Sequence, residues 1–176
     1  DKAVAASPTD VDAQRQLAEL LWREGRHDAA IEHSEDAVKL EPQEAPTVVR
    51  AGEMYLAVGQ ANRALLLAER SLTLDRSLPS AWALRGRVFR QRRQYDRALA
   101  DLQRALQYAP DESNVLLEIA ELHYELGRPQ RTLTTLHYLL DRYPPGDQPQ
   151  RALWLEGLAF SAVGRPGEAA ASLLAA

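Results

Sequence analysis

The residues Pro8, Pro42, Pro110 and Pro144 stand on a ladder with a 34-residue rung, and Arg76 occupies the rung that lacks proline. Gly25, Gly59 and Gly127 keep the same period, with Arg93 in their gap. Ala30, Ala64 and Ala98 keep it as well, and Thr132 continues them. Three kinds of marker in one period make this chain a tandem array before any other property is weighed. After Pro144 the phase slips by three residues, since Gly127 to Gly164 is 37. The run Pro144-Pro145-Gly146-Asp147-Gln148-Pro149 is expected to absorb that slip as a longer turn.

Each unit reads as two amphipathic helices. Leu17, Leu20 and Leu21 make one apolar face, and Ile31, Val38 and Leu40 contribute to the next. Gly25 falls where the first helix must stop, because glycine reaches the left-handed conformation without steric cost. Pro129 and Pro166 follow such turns, where a first-turn proline loses no helical hydrogen bond. Small residues recur seven before the turn (Ala18, Gly52, Gly86, Ala120, Gly157) and five after it (Ala30, Ala64, Ala98, Thr132, Ala169). Facing small residues let two helix backbones approach closely. A large side chain there would splay the pair, at a cost of roughly 1–3 kcal/mol. A lone helical hairpin cannot bury its apolar faces, so the units must stack.

Composition agrees with helices. Ala and Leu make up about a third of the 176 residues, whereas aromatics are 6%. That mixture disfavours a β-sandwich or a parallel sheet. The absence of cysteine excludes a disulfide scaffold, a thiolate zinc site and a cysteine nucleophile. No apolar run approaches the roughly 18–20 residues of a membrane helix, so no membrane insertion is expected. Lys2 and Lys39 are the only lysines among 21 basic residues, a usage expected of a GC-rich genome; the source is expected to be bacterial, and the residues do not decide between cytoplasm and periplasm.

In the third unit Trp82, Gly86, Phe89, Tyr95, Ala98, Ala105 and Pro110 stand at the signature spacing of the tetratricopeptide repeat (TPR) family, which the chain resembles. The resemblance divides it into repeats at 11–44, 45–78, 79–112, 113–149 and 150–176. Residues 1–10 are then the tail of a preceding repeat and 150–176 a truncated one. Both ends are expected to be cuts within a longer solenoid. Repeat four departs from the pattern, with Thr132 and Leu139 where small residues are usual, so looser or differently angled packing is expected there. The implied fold is all-α: a right-handed α-solenoid superhelix of antiparallel helix-turn-helix units, whose first helices line a concave groove.

Such a fold implies a module that binds a peptide or partner helix and performs no chemistry. The chain has no glycine-rich phosphate loop, nucleophile elbow or His-Glu-x-x-His. His27, His33, His123 and His137 lack the spacing that places two ligands on one helix face, so neither a metal nor a cofactor is expected. The groove positions implied by the resemblance are Arg15, Glu19 and Trp22, then Val49, Arg50 and Glu53, then Arg87 and Arg90. Repeat four adds Glu118, Glu121, Tyr124 and Glu125, and repeat five adds Trp154 and Leu158. A basic stretch followed by an acidic one would orient a partner by charge, with Trp22, Tyr124 and Trp154 as anchors or, for Trp154, as inter-repeat packing. Trp82 is expected to be a packing residue.

Some family members clamp a partner's terminal carboxylate. The matching positions here are Arg15, Glu19, Arg50, Ser80 and Leu84, where Glu19, Ser80 and Leu84 break the pattern and argue against that mode. Arg85, Arg87, Arg90, Arg92, Arg93 and Arg97 crowd one helix and its turn but fall on several faces. With a net charge of −4, an acidic segment of a protein partner suits them better than nucleic acid. A structural spacer, self-association through cut repeat ends bearing Leu173 and Leu174, and a docking arm for an enzyme elsewhere on the parent chain are the alternatives.

Overall fold

The computed structural model of the chain describes residues 10–144 and 146–176. Among them are ten helices and no strand: α1 (Val11–Arg23), α2 (His27–Leu40), α3 (Ala45–Ala57), α4 (Ala61–Leu74), α5 (Pro79–Gln91), α6 (Tyr95–Tyr108), α7 (Ser113–Glu125), α8 (Pro129–Leu140), α9 (Gln150–Ala162) and α10 (Pro166–Ala175). The expected tail of a preceding repeat lies outside the described residues except for Asp10, whose carboxylate accepts from the Ala13 amide at 3.1 Å and caps α1. Pro8 and Pro145 also lie outside them. The chain divides into two compact units, 1–108 and 109–176, the first with three described helix pairs and the second with two.

Every hairpin turn closes by the same device. The amide after the turn glycine reaches back five residues to a carbonyl of the first helix: Arg26 to Leu21 at 2.9 Å, Gln60 to Tyr55 at 2.8 Å, Gln94 to Phe89 at 2.8 Å, Arg128 to His123 at 2.9 Å and Arg165 to Phe160 at 3.0 Å. This bond defines a Schellman cap and requires a left-handed residue at the turn. Gly25, Gly59, Gly127 and Gly164 supply it with φ between 66° and 80°. In the third repeat Arg93 adopts the same geometry at φ 58°, the one positive φ of a non-glycine among the described residues. The turn survives there because the flanking hairpin over-determines it, and Arg93 bears a steric cost of about 1 kcal/mol.

Close approach of the paired helices follows from the small residues. A Cβ built on Gly86 would lie 3.0 Å from Leu102 Cγ and 3.2 Å from the Ala98 carbonyl. One on Gly52 would lie 2.5 Å from a Leu84 methyl and 3.7 Å from the Ala64 carbonyl, and one on Gly157 would lie 3.1 Å from the Ala169 carbonyl. The facing alanines Ala30, Ala64 and Ala98 are fully buried. Thr132, the exception, is also fully buried, and its hydroxyl donates to the carbonyls of Arg128 at 3.2 Å and Ala120 at 3.4 Å. The first unit thereby closes its core around Leu17, Leu21, Ile31, Met54, Tyr55 and Val88, and a further cluster joins Val49, Ala68, Leu72, Ala81 and Leu84. In the second unit Leu133, Ala159, Phe160 and Ala169 pack together.

First helices begin at residues 11, 45, 79, 113 and 150, so the last interval exceeds the others by three residues. The extra length sits in the connection between α8 and α9. There Gly146 takes φ 94°, its amide donates to Gln148 Oε1 at 2.7 Å, and the Asp147 amide donates to the Pro144 carbonyl at 3.0 Å. Among the described residues no helix is long and apolar enough to cross a membrane.

Two substitutions test this account. Arg93→Gly should raise stability by about 0.5–1 kcal/mol in urea unfolding, the relief of left-handed strain offset in part by the greater entropy of glycine in the unfolded chain. Gly86→Val should lower it by about 1–3 kcal/mol, because Leu102 and the α6 backbone must yield. An unchanged unfolding midpoint for Gly86→Val would remove close helix approach as the packing rule.

Candidate peptide groove

Residues one repeat apart occupy equivalent places on neighbouring first helices, and their charged side chains meet. In the first unit Glu19 of α1 accepts from Arg50 Nε of α3, Arg50 bonds Glu53 at 3.0 Å along the same helix, and Glu53 accepts from Arg87 of α5 at 3.0 Å. Two carboxylates and two guanidiniums therefore form one continuous line over three repeats. The Arg50 guanidinium is held above its ordinary pKa, chiefly by its bond to Glu19 and, against the effect of burial, by its bond to Glu53. Arg15 begins the same face but is bound into the framework, donating to Glu41 at 2.5 Å, to Thr47 and to Asp12 at 3.3 Å. Between α1 and α3 lies a cleft of about 450 Å³ with Arg15, Glu19, Thr47 and Arg50 at its walls.

Trp22, at the end of α1, is half-buried and stacks on His27 with ring centroids 4.3 Å apart. Its ring, with Met54, Leu56 and Ala57, borders a shallow pocket of about 330 Å³ whose remaining wall is Arg50, Glu53 and Arg87. An apolar floor thus adjoins the ion-pair line. Val49 is placed differently from its neighbours on α3: it is 3% exposed and packs among Ala68, Leu72, Ala81 and Leu84, so it contributes to the seam between repeats. Arg90, at the end of α5, is half-buried.

In the second unit Glu121 of α7 accepts from Arg151 of α9 at 2.6 Å, the same cross-repeat pairing. Glu118 is half-buried and Glu125 exposed on that helix. Tyr124 packs against the cluster of Leu133, Ala159 and Phe160. Leu158 is half-buried, whereas Trp154 is 52% exposed and presents its ring to solvent.

Several interactions carry no trace in a pattern reading. Arg85 donates both arms of its guanidinium to the buried Asp101, at 2.7 and 2.9 Å, while lying over the rings of Trp82 and Phe89 at 4.9 and 5.8 Å. Trp82 is half-buried and donates its indole N–H to the Arg76 carbonyl at 2.7 Å, so the bond and the guanidinium stack fix its ring in place. Glu156, also buried, accepts from Ser172 at 2.7 Å and lies 3.2 Å from His137 Nε2. Buried Asp and Glu on otherwise apolar helix faces were the available signal. Among the described residues no group of three or more His, Cys, Asp or Glu side chains is placed to hold a metal ion.

With this geometry in view, comparison with known proteins is decisive on family. Two tetratricopeptide repeat profiles match, one at residues 11–54 and another at 89–154. The chain belongs to the tetratricopeptide repeat family. Among curated proteins it is similar to the BBSome complex member BBS4 of Bos taurus, 26% identical over 130 residues, which is 74% of this chain and 25% of that protein. It is also similar to Hsp70-Hsp90 organizing protein 3 of Arabidopsis thaliana, 22% identical over 135 residues, covering 77% of this chain and 24% of the relative. The chain thus spans about a quarter of each. Among solved structures, YrrB, described as a TPR protein with an unusual peptide-binding site, superposes with a TM-score of 0.66 at 19% identity, over 99% of this chain and 88% of its own. That likeness shows the TPR solenoid fold.

The groove's ion pairs are partly exposed, with side-chain exposures of 46% for Arg50 and 35% for Glu19. A double-mutant cycle of Arg50→Gln and Glu19→Gln, followed by urea unfolding, should return a coupling below about 1 kcal/mol. A coupling above about 2 kcal/mol would mean that the pair is far better shielded from water than its exposure indicates.

Proposed function

We propose that the first-helix face of repeats one to three is a docking groove for a peptide or helix of a partner protein. The observation that carries this reading is the juxtaposition of Trp22, Met54 and Leu56 with the line of Glu19, Arg50, Glu53 and Arg87. An apolar partner side chain covers the Trp22 floor, where each Å² removed from water contributes about 25 cal/mol. The ion-pair line offers polar partners along the peptide and fixes its direction. In the second unit, taken by itself, the exposed Trp154 of α9 offers an aromatic contact of the same kind.

Charge acts here mostly through selection. A partner carboxylate that binds Arg50 must displace Glu19 or Glu53, so it gains only the difference between two similar ion pairs. An acidic partner segment is accordingly favoured by a small margin, about 0–1 kcal/mol per exchanged pair. A basic segment faces the same arithmetic at Glu19 and Glu53, and the apolar contact decides affinity.

The relatives are named as an organizer of two chaperones and as a member of a protein complex, and the structural neighbour for its peptide-binding site; all three names fit a protein-interaction module. The residues at the carboxylate-clamp positions are engaged otherwise in this chain. Glu19 is committed to Arg50, and Leu84 is fully buried.

Selection of a random 12-residue phage-displayed library on this chain tests the groove. Recovered peptides should be rich in large apolar residues, and Trp22→Ser or Leu56→Ser should weaken them about tenfold or more. Arg50→Gln should weaken them less than about threefold, consistent with the partial exchange of surface pairs. Peptides that bind the Trp22→Ser and Leu56→Ser proteins as well as the parent would overturn the reading.

A further inference from the structure

The second-helix side of the first unit carries a recess of its own. Between α2 and α4, over the far side of α3, lies a notch of about 330 Å³ floored by Val38, Ala51 and Leu67. Leu66 stands at its edge with 67% of its surface exposed, the consequence of three consecutive leucines, Leu65 to Leu67, on a helix whose buried stripe cannot accept them all. The notch is large enough for a bulky apolar side chain, and its floor is hydrocarbon.

The rim differs from the groove in how its cations are held. Arg50, Arg85 and Arg87 each bond a carboxylate. Arg63 instead donates to the Tyr55 hydroxyl at 3.1 Å, with its guanidinium 5.2 Å from that ring, and Arg70 donates to the Pro42 carbonyl at 2.6 Å. Both acceptors are neutral. Lys39 is paired with Asp36 at 2.7 Å and adds no net charge. Glu35 accepts from the Tyr55 hydroxyl, and both Glu35 and Glu32 act on Lys39. Burial first, and the bond to Glu35 second, raise the Tyr55 pKa, so the phenol keeps its proton and that proton points at Glu35. Among the residues that line the notch, Arg63 and Arg70 stand against Glu35, with Lys39 paired to Asp36, above an apolar floor.

We propose that this notch is a second docking site, on the side of the first unit away from the groove, for a partner-protein segment that carries a large aliphatic or aromatic residue beside a carboxylate. The apolar side chain enters over Val38 and Leu67 and covers Leu66. The carboxylate accepts from Arg63 or Arg70, and because neither must first surrender an ionic partner, the new pair is gained whole. The Arg63 guanidinium is already oriented by its bond to Tyr55, which lowers the ordering cost of that contact. The same chain can then hold one partner segment in the groove and another here without competition, as a scaffold must.

The test uses a fluorescein-labelled 14-residue amphipathic peptide with leucine at helical spacing and glutamate between, together with a twin in which every glutamate is lysine. Binding to the 176-residue chain is followed by fluorescence anisotropy, and amide chemical shifts locate the site. The acidic peptide should bind and shift amides of α2 and α4. Leu66→Glu should weaken it about tenfold or more, and Arg63→Gln with Arg70→Gln at least about threefold. The lysine twin should bind at least about tenfold more weakly. Measured in the Trp22→Ser protein, where the groove contact is removed, the acidic peptide should still shift amides of α2 and α4, and Leu66→Glu should weaken those shifts by the same factor as in the parent, so failure of one site is separable from failure of the other. Far-UV circular dichroism confirms that each variant is folded. Equal binding of the twin, insensitivity to Leu66→Glu, shifts confined to α1 and the Arg50 face of α3, or no binding at 1 mM would each overturn the proposal.

Discussion

Everything in this molecule depends on how closely two helices can approach within a hairpin. Where Gly86 faces Ala98, and Gly52 faces Ala64, no side chain separates the backbones, and a single added carbon would meet a leucine or a carbonyl at van der Waals contact or closer. That closeness sets the pitch at which the next hairpin stacks. Stacking at a fixed pitch then brings residues about one repeat apart in sequence into contact on neighbouring first helices. The bonds Glu19 to Arg50, Glu53 to Arg87 and Glu121 to Arg151 all have this origin. The groove's electrostatics are thus a consequence of its packing, because a wider crossing would separate the partners beyond hydrogen-bond reach.

The five turns show how strongly a repeat imposes its geometry on a sequence that deviates from it. Four use glycine, and the third holds Arg93 in the same left-handed conformation with the same backbone bond, Gln94 to Phe89. The cap is enforced by the hairpin and not by the local residue. Repeat four makes the corresponding point inside the core. Thr132 is larger than alanine and polar, and it is accommodated by bonding two carbonyls in place of leaving a buried hydroxyl unsatisfied.

Periodicity makes the hairpins, their turns and the three-residue slip near Pro144 legible in the sequence. It cannot make the pairings legible. A helical pattern assigns a residue to a face, but whether Arg50 reaches along its own helix or across to the previous one depends on the rotamers that stacking permits, and it does both. Val49 shows the limit from the other direction. It lies next to Arg50 in sequence, yet it packs among Ala68, Leu72, Ala81 and Leu84, so it is core. The notch by Leu66 has a weaker signature in the sequence: a leucine run one residue too wide for the buried stripe of a second helix.

The contrast between paired and neutrally held arginines carries the functional consequence furthest. A guanidinium already bound to a carboxylate in a partly exposed site exchanges one ion pair for another when a ligand arrives, and the net gain is close to zero. Such residues discriminate by penalising a ligand that cannot replace what it displaces. A guanidinium held by a hydroxyl or a carbonyl keeps its orientation while its charge remains to be neutralised, so a ligand carboxylate adds an interaction without removing one of equal strength. On this chain the first kind lines the groove and the second kind rims the notch. Affinity in the groove must therefore come from apolar burial at Trp22, Met54 and Leu56, whereas at the notch apolar burial and charge act in the same direction.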